Sequence, residues 1–172
     1  MEIEITQEQY LMMNHINNNE ALYIQIAPEE HATVSNCFDN VATKCKQDGG
    51  KPLYGWIIWD QPLFVEAELH CIWSSGDGGI LKDITPPKDK NDKFILFLPD
   101  ETIAYNGITL ANKYMPKYKE QRLLDYLSAE MNLQAFMISL RKLYSNEIKL
   151  TKKHATRYKE LLDQLNDAKT NL

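Results

Sequence analysis

Tyr54-Gly55-Trp56-Ile57-Ile58-Trp59-Asp60, then Gln61-Pro62, then Leu63-Phe64-Val65-Glu66-Ala67-Glu68-Leu69-His70-Cys71-Ile72-Trp73, decide how the chain is read. Aromatic and β-branched residues dominate both runs, and the Gln-Pro pair turns the chain between them, so two strands are expected. Ser74 through Gly79, with Asp77-Gly78-Gly79, predicts a hairpin-like turn into a third strand over residues 80–84. Pro86-Pro87 ends that strand, a polar loop follows, and Phe94-Ile95-Leu96-Phe97-Leu98 supplies a fourth. A short antiparallel meander is the economical topology.

Upstream, Ser35-Asn36 offers two N-caps directly before a helix that starts at Cys37. Asp39 suits the dipole at its start, Lys44 and Lys46 suit its end, and Gly49-Gly50 stops it. Cys37 thus falls in the first turn and Cys45 two turns later on the same face. Before this helix, residues 21–26 alternate as a short strand, residues 2–5 resemble a strand start, and residues 7–14 read as helical up to the Asn17-Asn18-Asn19 triplet. From Tyr118 onward Leu123, Leu124, Leu127, Met131, Phe136, Leu140 and Leu143 give a broad apolar helical face. A break near Ser145-Asn146 leads to a second helix carrying Tyr158, Leu161, Leu162 and Leu165, and the short connection predicts an antiparallel pair. The expected class is α+β: a helix with Cys37 at its N-terminus on a small antiparallel sheet, then a C-terminal helical hairpin. The expected domains are 1–116 and 117–172.

The chain has 172 residues and 19.9 kDa, 44% hydrophobic and 25% charged, which fits one globular domain with or without a helical extension. No apolar run approaches the roughly 20 residues of a membrane helix. The start, Met1-Glu2-Ile3-Glu4, lacks the basic and apolar regions of a secretory signal, so a cytoplasmic protein with reduced thiols is expected. The net charge of −5 hides a division: residues 1–116 hold 8 Lys+Arg against 17 Asp+Glu, a net of −9, while 117–172 hold 11 against 7, a net of +4. Pro116 makes a natural joint. The acidic balance disfavours nucleic acid as the main partner.

A thiol nucleophile needs a stabilised thiolate, a neighbouring base and a group that orients the base. Cys37 meets the first by its place at a helix N-terminus. His70 lies in the second strand and Asp83 in the third, and a hairpin centred near Asp77-Gly78 puts position 70 opposite roughly 83 to 85, which allows an imidazole–carboxylate contact. Cysteine at a helix start, then His and Asp on adjacent strands, resembles the order used by papain-like and transglutaminase-like thiol enzymes. Cys37-Phe38-Asp39-Asn40-Val41, Tyr54-Gly55-Trp56, residues 66–73, Asp83-Ile84-Thr85-Pro86 and Phe97-Leu98-Pro99-Asp100 together also resemble a group of small bacterial proteins of uncharacterised function. The resemblance covers about residues 35–100 and implies a shared fold and site. By it Cys37 is nucleophile, His70 general base and later acid, Asp83 the orienting carboxylate, and Gln25 an oxyanion donor beside the Cys37 N–H. Such a site needs no cofactor and no metal, and takes a peptide, a protein or a small acyl or amide substrate.

Plainer readings compete. Cysteine is among the most buried residue types, and Cys45 and Cys71, the latter alternating with Leu69 and Trp73, fit a core. Glu66, Glu68 and His70 share one strand face, which with Asp83 raises a metal-binding alternative; a zinc site from Cys37, Cys45, Cys71 and His70 lacks any close Cys pair. Trp56, Trp59 and Trp73 suit sheet packing. The basic residues Lys149, Lys152, Lys153, Arg157 and Lys159 suit a solvated helix face, or an interaction protein that binds a macromolecule or a second copy of the chain through its C-terminal helices. His15 and His154 have no recognisable partner in sequence, whereas His31 is close enough before Cys37 to line the same cleft.

Overall fold

A computed structural model describes residues 4–144 and 151–172; the expected break at Ser145-Asn146 lies outside the described residues, as do Glu2 and Ile3. The elements are α1 (Gln7–Ile16), β1 (Leu22–Gln25), α2 (Cys37–Asp48), β2 (Lys51–Asp60), β3 (Phe64–Ser74), β4 (Leu81–Lys82), β5 (Phe94–Pro99), β6 (Lys113–Pro116), α3 (Gln121–Tyr144) and α4 (Lys152–Thr170). The fold is α+β, as expected. Thr6 starts α1 with a reciprocal capping box to Gln9, and Gln9 Nε2 also donates to the Ile58 carbonyl of β2. At the other end of α1, the side chains of Asn17 and Asn19 both donate to the Pro99 carbonyl. The Asn triplet therefore seats the helix as well as ending it.

The strand order is β1-β5-β2-β3-β4, with β6 paired to β3. This is not the expected meander, because β5 returns between β1 and β2. It pairs antiparallel with both, Leu22 opposite Phe97 and Gly55 opposite Pro99. Two features of the sequence make that return possible. Gly55 has no side chain where a Cβ would lie 2.3 Å from the Leu98 carbonyl oxygen, so the strands can close. Beyond the pairing, Asp100 accepts the Trp56 indole N–H at 3.0 Å and the Thr102 N–H at 3.1 Å, which fixes the strand end in a buried position.

The third expected strand is also shorter than predicted. β4 pairs with β3 only over Trp73–Lys82 and Ser74–Leu81. After Lys82 the backbone turns to β1 instead: the Asp83 N–H donates to the Gln25 carbonyl (3.1 Å), and the Ala27 N–H donates to the Asp83 carbonyl (2.8 Å). The Glu29 N–H donates to the Ile84 carbonyl at 3.2 Å, and Ile26 and Asp83 form an isolated parallel bridge. Since β1 and β4 stand at opposite ends of the strand order, this bridge ties the two edges of the sheet together.

One apolar cluster joins Ile24, Ile57, Ile72, Ile95 and Phe97 from four strands. A second joins α2 to the sheet through Cys37, Val41, Cys71 and Ile84, with Phe38, Cys45, Tyr54 and Trp73 against it. Val41 and Ile84 are fully buried, and burial on that scale stabilises by about 1.5–3 kcal/mol per side chain. At the end of α2, Gly49 takes φ 75° and returns its N–H to the Cys45 carbonyl, while the Trp73 indole donates to the Gly49 carbonyl. Lys44 lies over the Trp73 ring and pairs with Glu29 and Asp48.

The chain divides into two compact units, one running to Trp59 and including Ala67–Ala104, the other Asp60–Glu66 with everything from Tyr105 onward. In the second unit β6 pairs with the start of β3, and the Lys117 N–H donates to the Leu63 carbonyl. Within that unit the Asn112 side chain donates to Glu66, and its backbone N–H donates to the Gln134 side-chain carbonyl. Phe64 packs on the rings of Tyr114 and Tyr126. Helix α4 buries Leu161 and packs on α3, where Leu123, Leu127 and Leu140 are buried.

Gly55→Ala tests the close approach of β5. It should lower stability by about 1–3 kcal/mol in a urea melt. Gly76→Ala, where an added Cβ meets nothing within 4 Å, should stay within about 0.5 kcal/mol of the parent.

Candidate active site

Helix α2 presents Cys37 as its first residue. Asn36 occupies the N-cap but makes no side-chain cap hydrogen bond, contrary to the expected capping by Ser35 or Asn36. Ser35 itself takes φ 60°, a left-handed conformation that few side chains adopt. The first-turn N–H groups are thus left without the usual side-chain acceptor beside the thiol. Cys37 keeps 8% of its surface exposed, whereas Cys71, beneath it in the same cluster, keeps 1%.

His70 and Asp83 meet as the sequence predicts, though by a different route. The β3–β4 register would place residue 85 opposite His70, and it is the departure of the chain toward β1 that turns the Asp83 carboxylate to the ring. His70 Nε2 lies 3.1 Å from Asp83 Oδ1, with both residues buried. The approach is close enough for an ion pair yet off the line of a good hydrogen bond, since Nε2 lacks a well-aligned acceptor. The Cys37 side chain is the second group that interacts with the ring.

Electrostatics follow from this packing. Burial alone lowers the His70 pKa, but Asp83 and then Cys37 more than offset it and hold the imidazolium up to about 10, above the usual 6.5. The Cys71 pKa is raised too: burial first, then the nearby Cys37, Cys45 and Asp83, keep this thiol protonated. Burial also raises Cys45. All three cysteines are free.

A third layer holds the site in place. Asn40, one turn into α2 and 3% exposed, takes the Thr33 N–H on Oδ1 (3.0 Å). Its Nδ2 donates to the Thr33 carbonyl (2.8 Å) and to Thr85 Oγ1 (3.1 Å). The Thr85 N–H in turn donates to Asp83 Oδ1 at 3.0 Å. His31 does not join the ring cluster but sets Nε2 3.1 Å from the Asn40 carbonyl. Sequence reasoning gave Asn40 and Thr85 no role, although Asp83-x-Thr85 is the spacing of a carboxylate that accepts a backbone N–H two residues on. Gln25 is brought near by its backbone, as the acceptor of the Asp83 N–H, and its side chain is exposed.

The alternative sets are not assembled. Glu68 accepts the Trp59 indole and pairs with Lys88, and Glu66 accepts Asn112. Among the described residues no group of three or more His, Cys, Asp or Glu is placed to hold a metal ion. On α4, Lys152, Lys153, Arg157 and Lys159 are exposed, with Arg157 paired to Glu160. No helix of the described residues is long and apolar enough to cross a membrane.

Comparison with known proteins finds no matching family, no curated relative and no similar solved structure.

The raised His70 pKa has a consequence for stability. Protonation of the ring favours the folded state, so its contribution is full below about pH 6.5 and is lost as pH rises through about 10. The difference in unfolding free energy between the parent and His70→Gln should therefore shrink from pH 6.5 to 10 in denaturant melts. A difference that is constant or grows across that range contradicts the imidazolium assignment.

Proposed function

We propose that this chain is a cysteine-dependent hydrolase or acyltransferase with a papain-like or transglutaminase-like core, acting on an amide, ester or isopeptide bond. The observation that carries the reading is the His70 ring held between the Asp83 carboxylate, at 3.1 Å, and the side chain of Cys37 at the start of α2. In this reading the Cys37 sulfur attacks the substrate carbonyl carbon as the thiolate, the nucleophilic form of a cysteine. The carbonyl oxygen gathers negative charge, which the uncapped first-turn N–H groups of α2 would meet as donors.

The first proton step belongs to an acid. Since His70 is cationic at neutral pH, it gives its proton to the leaving nitrogen or oxygen as the tetrahedral intermediate collapses to the thioester. The ring, now neutral, then takes a proton from the attacking water or acceptor amine, and the second collapse returns Cys37 and the product. Asp83 holds the ring and its charge throughout. A water acceptor gives hydrolysis or deamidation, an amine gives acyl transfer, and all three use the same groups.

Thiol labelling tests this directly. At pH 6 iodoacetamide should modify Cys37 well ahead of Cys45 and Cys71, whose thiols burial keeps protonated. His70→Ala should slow the Cys37 reaction by about 10- to 100-fold, in line with loss of the cation that favours the reactive thiolate. Equal, slow labelling at all three positions sinks the reading.

A further inference from the structure

We propose that Asn40 is a positioning residue for the thiol site, clamping the turn that carries Cys37 to the turn that aims Asp83. The inference rests on the thiol reading above and extends it to a residue that touches neither the reacting sulfur nor the ring. Three observations support it. Asn40 is almost wholly buried, yet its amide makes three hydrogen bonds, one accepted and two donated. Two of them lock Thr33, four residues before Cys37, back onto the first turn of α2, which fixes how the chain enters the helix through the strained Ser35.

The third hydrogen bond crosses to Thr85, and Thr85 is also the residue whose N–H holds Asp83 Oδ1. The same oxygen faces His70 Nε2. A continuous path of contacts therefore runs from the helix of the nucleophile, through Asn40 and Thr85, to the carboxylate oxygen that sets the imidazole. Nothing else named at the site joins α2 to the 83–85 segment by a side-chain hydrogen bond. An apolar residue in place of Asn40 would leave the Thr33 N–H and carbonyl and the Thr85 hydroxyl without these partners, so the amide ties three groups together rather than only filling space. Its specific use is to fix relative position, and misplacement of reacting groups by about 1 Å costs up to about 100-fold in rate.

The clamp can be loosened from its far end without touching the helix. Thr85→Val keeps the shape and the backbone N–H to Asp83 but removes the oxygen that Asn40 donates to; Thr85→Ser restores it. The full-length chain is labelled with iodoacetamide across pH 5.5–9, reading Cys37 alone by mass spectrometry, with a thermal melt of each variant beside it. Thr85→Val should slow Cys37 roughly tenfold near pH 6 and flatten its pH profile, Thr85→Ser should recover most of the rate, and Asn40→Ala should act in the same direction. In the His70→Ala background, Thr85→Val should add nothing, because the clamp acts through the ring.

A melting temperature that falls while the Cys37 rate and pH profile stay unchanged overturns the proposal and leaves Asn40 a stability residue. Equal slowing by Thr85→Val with and without His70 overturns it as well. If His70→Ala itself leaves Cys37 reactivity unchanged, the thiol reading fails and the positioning role falls with it. The two failures are thus separately visible.

Discussion

The parallel bridge between Ile26 and Asp83 is the contact on which the rest of the molecule depends. It is two backbone hydrogen bonds with one more at Ile84, worth about 1 kcal/mol each in net terms. Yet it joins strands at opposite ends of the sheet, stops β4 after two residues and turns a carboxylate to the His70 ring. Had the β3–β4 hairpin simply continued, Asp83 would have stayed in the ladder. The covering helix α2 packs Val41 against Cys71 and Ile84 of the sheet side, which brings Cys37 to the same place.

Among the polar side chains buried around the sheet, Asp83, Asn40 and Asp100 are each answered by a named partner. Asp83 is met by His70 and the Thr85 N–H, Asn40 by Thr33 and Thr85, and Asp100 by Trp56 and Thr102. Leaving any of them unpaired would cost more than the pairing gains, so each fixes a local geometry that apolar packing alone would leave loose. The imidazole is the exception. Its Nε2 is close to a charge but poorly aligned, a geometry that catalytic hydrogen bonds often show without substrate.

What the sequence made legible was whatever depends on local pattern. The start of α2 at Cys37, its stop at Gly49 and the strands around Trp56 and Trp73 follow from short-range rules, whereas His70 meets Asp83 only because the chain leaves the hairpin for β1. The place of β5 did not, because Phe94 to Pro99 reads the same wherever it inserts, and the decisive cue, a glycine at 55, gains meaning only once Leu98 is known to pass over it. Asn40 was hidden for a related reason. An asparagine inside a helix reads as a mild misfit, and its partners at 33 and 85 lie outside the helix. The cap at Ser35-Asn36 was expected from residue type, and its absence is a matter of backbone geometry at Ser35 that no composition rule reports.

The long span between paired strands also bears on how the protein is made. Leu22 pairs with Phe97, 75 residues further along the chain, so at roughly 5–20 residues per second about 4–15 s separate the synthesis of the two partners. During that interval β1 has one edge waiting for β5 and the other waiting for Asp83, while Cys37 has left the ribosome without its helix seated. The nascent chain therefore carries an open strand edge and an uncovered thiol before the sheet can close, which makes this stage the one where mispairing or oxidation would strike.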